Sequence, residues 1–473
     1  MNRDLILYAA GACLSLFGFT SCGEDRTNEF KELTKECTWI YNTMKEYYFW
    51  YDEMPNVKRE NYFNKPETFF KNLLSKKDKY SYLENADGQT TRSINQNSTY
   101  GFDFALYVDP ATQSTSDPRR YARILYVLPN SPASEAGLKR GDWISTVGGV
   151  KLTSQNYTAL IFGTETRLTL ATPNLDETTG QFYWDAEEKS VQLGASRWVE
   201  DNPFYVDTVF HFDNHRVAYL MYNSFSTGPE NTGLETEYSD RMHQIFQQFK
   251  AQEPTDFILD LRYNPGGYLT CAQELASLLV PQEATGKIFC TTVFNDKKQN
   301  LNESYLFEKQ LMRNHNLNLS HIFIITSGLT ASASESIING LRPFMGENNV
   351  ELVGTRTEGK NVASLTFKSD FGFSLHPIVA QVYNSKKESD YADGFAPTFE
   401  FDEFNYITPF YPLGDIREST LAMVVYRIIT GSYPTEFEES QQATRLGRPS
   451  YTLPTPSFHS INLKHYPSLS FEE

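Results

Sequence analysis

The segment from His321 to Phe344 constrains this chain more than any other. HIFIIT is an apolar, strand-like run; it gives way to the small residues SGLTASASE and then to a helix-like stretch, SIINGLRPF. A strand feeding a helix through so short a turn leaves backbone N–H groups unpaired at the helix start, where they favour developing negative charge. Ser332 at this junction has the setting that an acyl-transfer nucleophile needs. Ser334 reads as the N-cap of the helix, and Glu335 as a first-turn acid favoured by the helix dipole. Lys360 follows a second strand-like run, VELVGT, and the pair Glu358-Gly359. A lysine replaces histidine as general base when burial lowers its pKa from about 10.4 toward about 7–8. Taken alone, these residues also fit a small-residue turn and a surface lysine.

The neighbouring stretches favour an α/β core. RVAYLMYNSF and TDFILDLRYNPGG are strand-like, and ETEYSDRMHQIFQQFKAQ between them is an amphipathic helix. CAQELASLLVP is a further helix, and SLTF, FSLHPIVAQVYN and YADGFAPTFEF add strands. Such alternation builds a sheet covered by helices. The turn Asn264-Pro265-Gly266-Gly267 lies at a strand end, where glycines let backbone N–H groups approach a substrate; its plainer reading is a tight turn. The apolar residues from Tyr219 to Phe225 are a candidate pocket wall.

Upstream, the character changes twice. Residues 28–95 look helical, with TKECTWIYNTMKEYYFWYDEM and PETFFKNLLSKKDKY carrying apolar and aromatic residues at helical spacing. Trp39, Tyr41, Tyr47, Tyr48, Phe49, Trp50 and Tyr51 read as helix-packing core, with a substrate cap or wall as the alternative. Then come YGFDFALYV, ARILYVLP, the string SPASEAGLKRGDWISTVGGVKL and TRLTLAT. They read as strands, a short helix and glycine turns. This stretch resembles a PDZ domain of the kind found in bacterial proteases. The resemblance makes Tyr100, Gly101 and Phe102 the loop that receives a peptide C-terminus, beside a strand edge to which an extended peptide adds.

Composition narrows the class. The 473 residues, 40% hydrophobic and 14% aromatic, suffice for two to four folded domains. A net charge of −17 argues against nucleic acid, whose phosphates need Lys and Arg. Cys37, Cys271 and Cys290 are too few for a disulfide framework, though one pair could bridge. No Cys/His cluster has zinc-like spacing, and nothing calls for a cofactor or metal. At the N-terminus, Arg3 precedes an apolar stretch, Leu5 to Phe19, shorter than the ~20 residues of a membrane span. Phe19-Thr20-Ser21-Cys22, followed by GEDRTNEF, resembles a bacterial lipobox. That implies removal of residues 1–21, lipidation of Cys22 and a lipid-anchored place in the bacterial cell envelope. An ordinary secretory signal is the alternative. Glu24 and Asp25 point to the outer membrane rather than the inner, facing periplasm or exterior; a plain polar tether would look the same.

Three core motifs, ILDLRYNPGG, TASASE and TEGK, stand in order behind the PDZ-like unit. Together they resemble the carboxyl-terminal processing peptidases, or tail-specific proteases, over most of residues 30–430. The resemblance implies an α/β protease core with an N-terminal helical segment and an inserted PDZ-like β-rich domain. The expected boundaries are 1–21 for the signal, 22–95 for tether and helical domain, 96–175 for the PDZ, 176–431 for the core and 432–473 for a tail. It implies Ser332 as nucleophile, Lys360 as base, and the backbone of Gly266, Gly267 and Ala333 as oxyanion hole. Better-known members carry a glutamine four residues after the lysine; Ser364 stands there and is the candidate third catalytic member. The tricorn-like branch instead uses a histidine upstream of the core. This chain has none before His211, and His211, His215 and His376 read as structural. The expected partners are proteins or peptides with free C-termini, and a membrane through the anchor. Two other readings remain: an inactive peptide-capturing lipoprotein, for which Ser364 is the best support, and a generic acyl hydrolase, which would leave the PDZ unexplained.

Overall fold

The computed structural model describes residues 27–434, apart from 86–97, 113–114, 177–180, 185–188, 230–232 and 406–409, together with 451–452. The expected signal peptide, the lipidation site at Cys22 and most of the expected tail lie outside the described residues.

The N-terminal unit is helical. In α1 (Thr27–Tyr47), Thr34, Cys37, Ile40 and Met44 are buried, recurring every three or four residues. They pack against α2 (Pro66–Leu73), which starts with proline at its first position, through Phe69, Phe70 and Leu73. This unit is stitched to the rest of the chain. Its last strand, β1 (Tyr82–Asn85), pairs with residues 373–376, and Phe373 and Leu375 share its core. Trp39, Tyr41 and Tyr48 lie in or against that core, as helix-packing residues do.

The β-rich unit contains β2 (Phe102–Val108), β3 (Arg120–Val127), β4 (Trp143–Val147), β5 (Thr166–Ala171) and β6 (Lys189–Leu193), side by side in that order. The expected boundary at residue 175 therefore falls inside this unit, because β6 pairs with β5. Strand β2 is buried along its whole length. Phe102, Phe104 and Leu106 enter the unit's own core; Ala105 and Tyr107, facing the other way, enter the core shared with the next unit.

The remaining chain forms the α/β core. A hairpin, β7 (Phe204–Phe212) and β8 (His215–Tyr222), leads through α3 (Glu237–Ala251) to β9 (Asp256–Asp260). Next come α4 (Leu269–Leu279), β10 (Ile288–Phe294), β11 (Glu303–Leu306), β12 (Ile322–Thr326), α5 (Ala333–Met345) and β13 (Val350–Gly354). Then follow β14 (Val362–Ser364), β15 (Phe367–Lys368), β16 (Phe373–His376), β17 (Ile378–Asn384), β18 (Phe399–Glu400) and α6 (Ser419–Thr430). The main sheet has the order β7-β8-β9-β12-β13-β18, parallel from β8 onward. A second sheet, β11-β10-β17-β14, stands beside it. Helices α3, α4 and α5 cover one face of the main sheet; α6 and the β-rich unit cover the other. Tyr219 to Phe225 are fully buried in this sheet and the turn after it, so they are core and not the expected pocket wall. Cys37, Cys271 and Cys290 are free and buried, so the considered bridge is not formed. Among the described residues, no helix is long and apolar enough to cross a membrane. The tail returns as β19 (Tyr451–Thr452), antiparallel to β2 on the edge opposite β3.

Adjacent strands β9 and β12 run parallel, and the turns at their carboxyl ends carry Asn264–Gly267 and Ser332 respectively. In open parallel sheets that end is where ligands bind.

Candidate active site

Ser332 sits directly before α5 with φ 59° and ψ −114°, a left-handed conformation that non-glycine residues rarely adopt. The strained turn lifts the side chain off the end of β12 and leaves it half-buried. Ser332 is thus the residue that caps the helix. Ser334 is not the N-cap expected from its sequence; it lies in the first turn, and its hydroxyl donates to the Asn264 carbonyl at 2.9 Å.

Glu335 does more than face the helix dipole. It is fully buried and accepts four hydrogen bonds. Oε2 takes the Ser332 N–H at 2.9 Å and the Lys360 N–H at 2.8 Å; Oε1 takes the Gly359 N–H at 2.7 Å and the Thr357 hydroxyl at 2.6 Å. Burial pushes its carboxyl above the usual range, and these hydrogen bonds pull against that rise. The serine turn and the lysine turn are therefore tied to one side chain. Sequence gave no sign of this, because the partners of Glu335 lie on a different loop.

Ser332, Lys360 and Ser364 line one cavity of about 400 Å³. No histidine among the described residues lines it. The Lys360 ammonium nitrogen lies 5.6 Å from the centre of the Tyr80 ring, a contribution from the N-terminal unit.

The glycine turn packs against the serine. A Cβ on Gly266 would lie 2.7 Å from the Ser332 Cβ and 3.0 Å from the Ala333 nitrogen. The Gly266 N–H donates to Asn264 Oδ1 at 2.9 Å, so it is already used, contrary to its expected place among the oxyanion donors. Asn264 is itself held by its own Nδ2 donating to the Tyr222 carbonyl at 2.7 Å. Gly267 lines the cavity. Its φ of +147° and its bridge to Phe225 leave no room for a side chain, since a Cβ would lie 2.0 Å from the Phe225 oxygen. Ala333, as the first residue of α5, has an N–H without an intrahelical acceptor.

A buried charge network joins this turn to the β-rich unit. Arg140 donates to Glu403 Oε2 at 2.6 Å, to the Tyr263 hydroxyl at 2.7 Å and to the Leu125 carbonyl at 2.7 Å. Arg262, in the turn between β9 and Asn264, bonds Asp260, Glu403 and Glu418. In the expected peptide loop, the Tyr100 N–H donates to the Ile161 carbonyl at 3.0 Å, and the Gly101 N–H to Thr99 Oγ1 at 2.9 Å. Both are used within the unit, so neither is free to bind a peptide carboxylate as expected.

Fold and site together define a class: an α/β protein with an inserted PDZ unit and an elbow serine beside a lysine-lined cavity. Residues 216–401 match peptidase family S41, residues 36–82 the peptidase S41 N-terminal domain, and residues 123–171 a PDZ domain. A solved structure described as an S41 protease of Bacteroides fragilis is 32% identical, with a TM-score of 0.71. That alignment covers 83% of this chain and 97% of the other. The chain belongs to peptidase family S41. A carboxyl-terminal-processing protease of Picosynechococcus is 25% identical over 264 residues, and one of Synechocystis is 26% identical over 272. Those matches cover 54% and 56% of this chain, and 55% and 56% of the relatives, so the chain spans about half the length of the curated relatives it matches.

Proposed function

We propose that this chain is a serine endopeptidase in which Ser332 is the nucleophile and Lys360 the general base, with the PDZ unit engaging the C-terminal tail of a protein substrate. The observation that carries the reading is the Glu335 carboxylate, which fixes the backbone of both residues at the mouth of one cavity. Neutral Lys360 takes the Ser332 hydroxyl proton as Oγ attacks the peptide carbonyl. The tetrahedral oxyanion is met by the N–H groups of Gly267 and Ala333. Collapse breaks the C–N bond, and Lys360 returns the proton to the leaving amine. Water then attacks the acyl-enzyme, giving a proton to Lys360; collapse breaks the bond to Ser332 Oγ, Lys360 returns that proton to Oγ, and the acid leaves. Ser364, on the same cavity wall, orients Lys360.

Tail recognition draws on the β2 edge more than on the Tyr100–Phe102 loop. That edge pairs antiparallel with Tyr451–Thr452, so it has the geometry for strand addition. Lipidation at Cys22 would hold the enzyme at the envelope membrane; incorporation of labelled fatty acid by the full chain, and its loss in Cys22→Ala, tests this.

The test of the activity is cleavage of an unfolded protein with an apolar C-terminus, followed by mass spectrometry, using the full chain and its Ser332→Ala and Lys360→Ala variants. Cleavage by the unaltered chain alone is expected. Cleavage that survives Lys360→Ala would require another base. No cleavage by any form, with the tail still bound, would make the chain a peptide-capturing module.

A further inference from the structure

Resting on the peptidase reading above, we propose that the cavity beside Ser332 receives the side chain of the residue that supplies the scissile carbonyl, and that it selects a bulky apolar one: Leu, Met or Phe.

The floor of the cavity is one face of the second sheet. Phe294 of β10 pairs with Ala380 of β17, and Ala380 pairs with Ala363 of β14, so the three form one cross-strand row. Thr292 and Val382, two residues along their strands, pair in the next row and point to the same face. All five line the cavity. The two alanines, the smallest residues of the row, stand side by side on this face. Its volume, about 400 Å³, falls within the range of about 300–1,000 Å³ typical of ligand pockets and far exceeds what a methyl group would fill.

Position links this hollow to the reacting carbonyl. Gly267 lines the cavity, and the next residues, Tyr268 and Leu269, continue its wall at the start of α4. A carbonyl oxygen held by the Gly267 and Ala333 N–H groups therefore lies beside the cavity, with its own side chain within reach of it. Two polar atoms on the cavity wall are engaged within the protein. Asn302 Oδ1 accepts the Phe294 N–H at 2.8 Å, and Glu303 Oε2 accepts the Tyr305 hydroxyl at 2.8 Å. An apolar side chain on the sheet face leaves these two hydrogen bonds in place.

The test uses peptides that differ only at the residue whose carbonyl is attacked, with kcat/KM measured on the full chain. Leu, Met and Phe are expected to exceed Ala and Gly by at least about 10-fold, the lower end of what a single methylene contributes in an apolar pocket. Ala363→Leu, which fills the floor, should reverse that order. Diphenyl phosphonates carrying Phe or Ala side chains give a second readout, because the rate of Ser332 labelling reports the pocket without turnover. A flat profile, or preference for Ala and Gly, would overturn the proposal. Preference for Lys or Arg would also overturn it and would assign selection to Glu303. If no peptide is cleaved and no phosphonate labels Ser332, the peptidase reading itself fails. Cleavage or labelling without the expected preference removes only the selectivity.

Discussion

Ser332 and Lys360 are fixed by a single oxygen: Glu335 Oε2 accepts the backbone N–H of both, at 2.9 and 2.8 Å. Gln in place of Glu335 keeps the size of the side chain but replaces one acceptor oxygen with an NH₂ that would face N–H donors. With the NH₂ toward Ser332 and Lys360, two of the four hydrogen bonds are lost; turned the other way, the Gly359 N–H loses its acceptor while the Thr357 hydroxyl turns to accept. Because misplacement by about 1 Å costs on the order of 10²-fold, Glu335→Gln should lower kcat by roughly 10²-fold with little change in KM. A lowered Tm with unchanged kcat would reduce Glu335 to a stabilising residue.

Gly266 and Gly267 should respond differently to a methyl group. At Gly266 the new Cβ meets the Ser332 Cβ at 2.7 Å, so Gly266→Ala pushes on the nucleophile itself. A fall in kcat of about 10²–10³-fold is expected, as when an oxyanion donor is lost. At Gly267 the Cβ would lie 2.0 Å from the Phe225 oxygen, within the backbone bridge that holds the turn to the sheet. Gly267→Ala should therefore lower Tm more than Gly266→Ala does. Thermal melts and steady-state rates on both variants separate the two effects, and equal Tm losses would contradict the assignment.

The elements of the site differ in how far sequence reveals them. Ser332 was legible because strand, small residues and helix follow one another within one short segment. Lys360 was legible by resemblance. The role of Glu335 was hidden because its partners, Thr357, Gly359 and Lys360, come close only after β13 has paired with β12. Gly266 was misjudged for a similar reason: the Asn264 side chain that occupies its N–H is adjacent in sequence, but its rotamer is set by the distant Tyr222 carbonyl. Arg140 lies within the string LKRGD and carries no local mark of burial. Its burial depends on the β-rich unit docking against the core sheet, a contact that no local pattern encodes. The main sheet was legible from apolar runs and amphipathic helices. The extension of the β-rich unit to Leu193 was not, because its last strand is mostly polar.

Acid should act on the Arg140–Glu403–Arg262 network. Burial by itself would raise the Glu403 carboxyl, but the Arg140 and Arg262 guanidiniums and the Tyr263 hydroxyl hold it down to about 2, against an ordinary 4.5. Below about pH 4.5 the unfolded chain takes up a proton that the folded chain refuses until about pH 2. The stabilisation is thus complete above pH 4.5 and is lost as pH falls through that window, by an amount on the order of 3 kcal/mol. Glu403→Gln should cost about 3–5 kcal/mol near neutrality, because it leaves two buried guanidiniums short of a carboxylate. Denaturant melts of both proteins between pH 7 and pH 2 should show that difference shrinking with acid. A constant difference would place the acid sensitivity elsewhere.

The pairing of β19 with β2 makes the chain's own tail a competitor for the edge to which a substrate strand would add. Leu106 faces Thr452 and Tyr107 faces Tyr451, both antiparallel. A segment of the same chain competes intramolecularly, so an incoming peptide must displace it. Two cross-strand pairs contribute roughly 0.2–1 kcal/mol each, which bounds the competition at about 2- to 30-fold in apparent affinity. A chain ending at residue 434 should therefore bind a peptide with an apolar C-terminus more tightly by a factor in that range, with Ser332→Ala in both forms to prevent cleavage during the measurement. Fluorescence anisotropy with a labelled peptide reads the change. The tail segment added back as a separate peptide should restore the weaker binding, because it returns to the same strand edge. Unaltered affinity after truncation would mean that substrate tails bind away from β2.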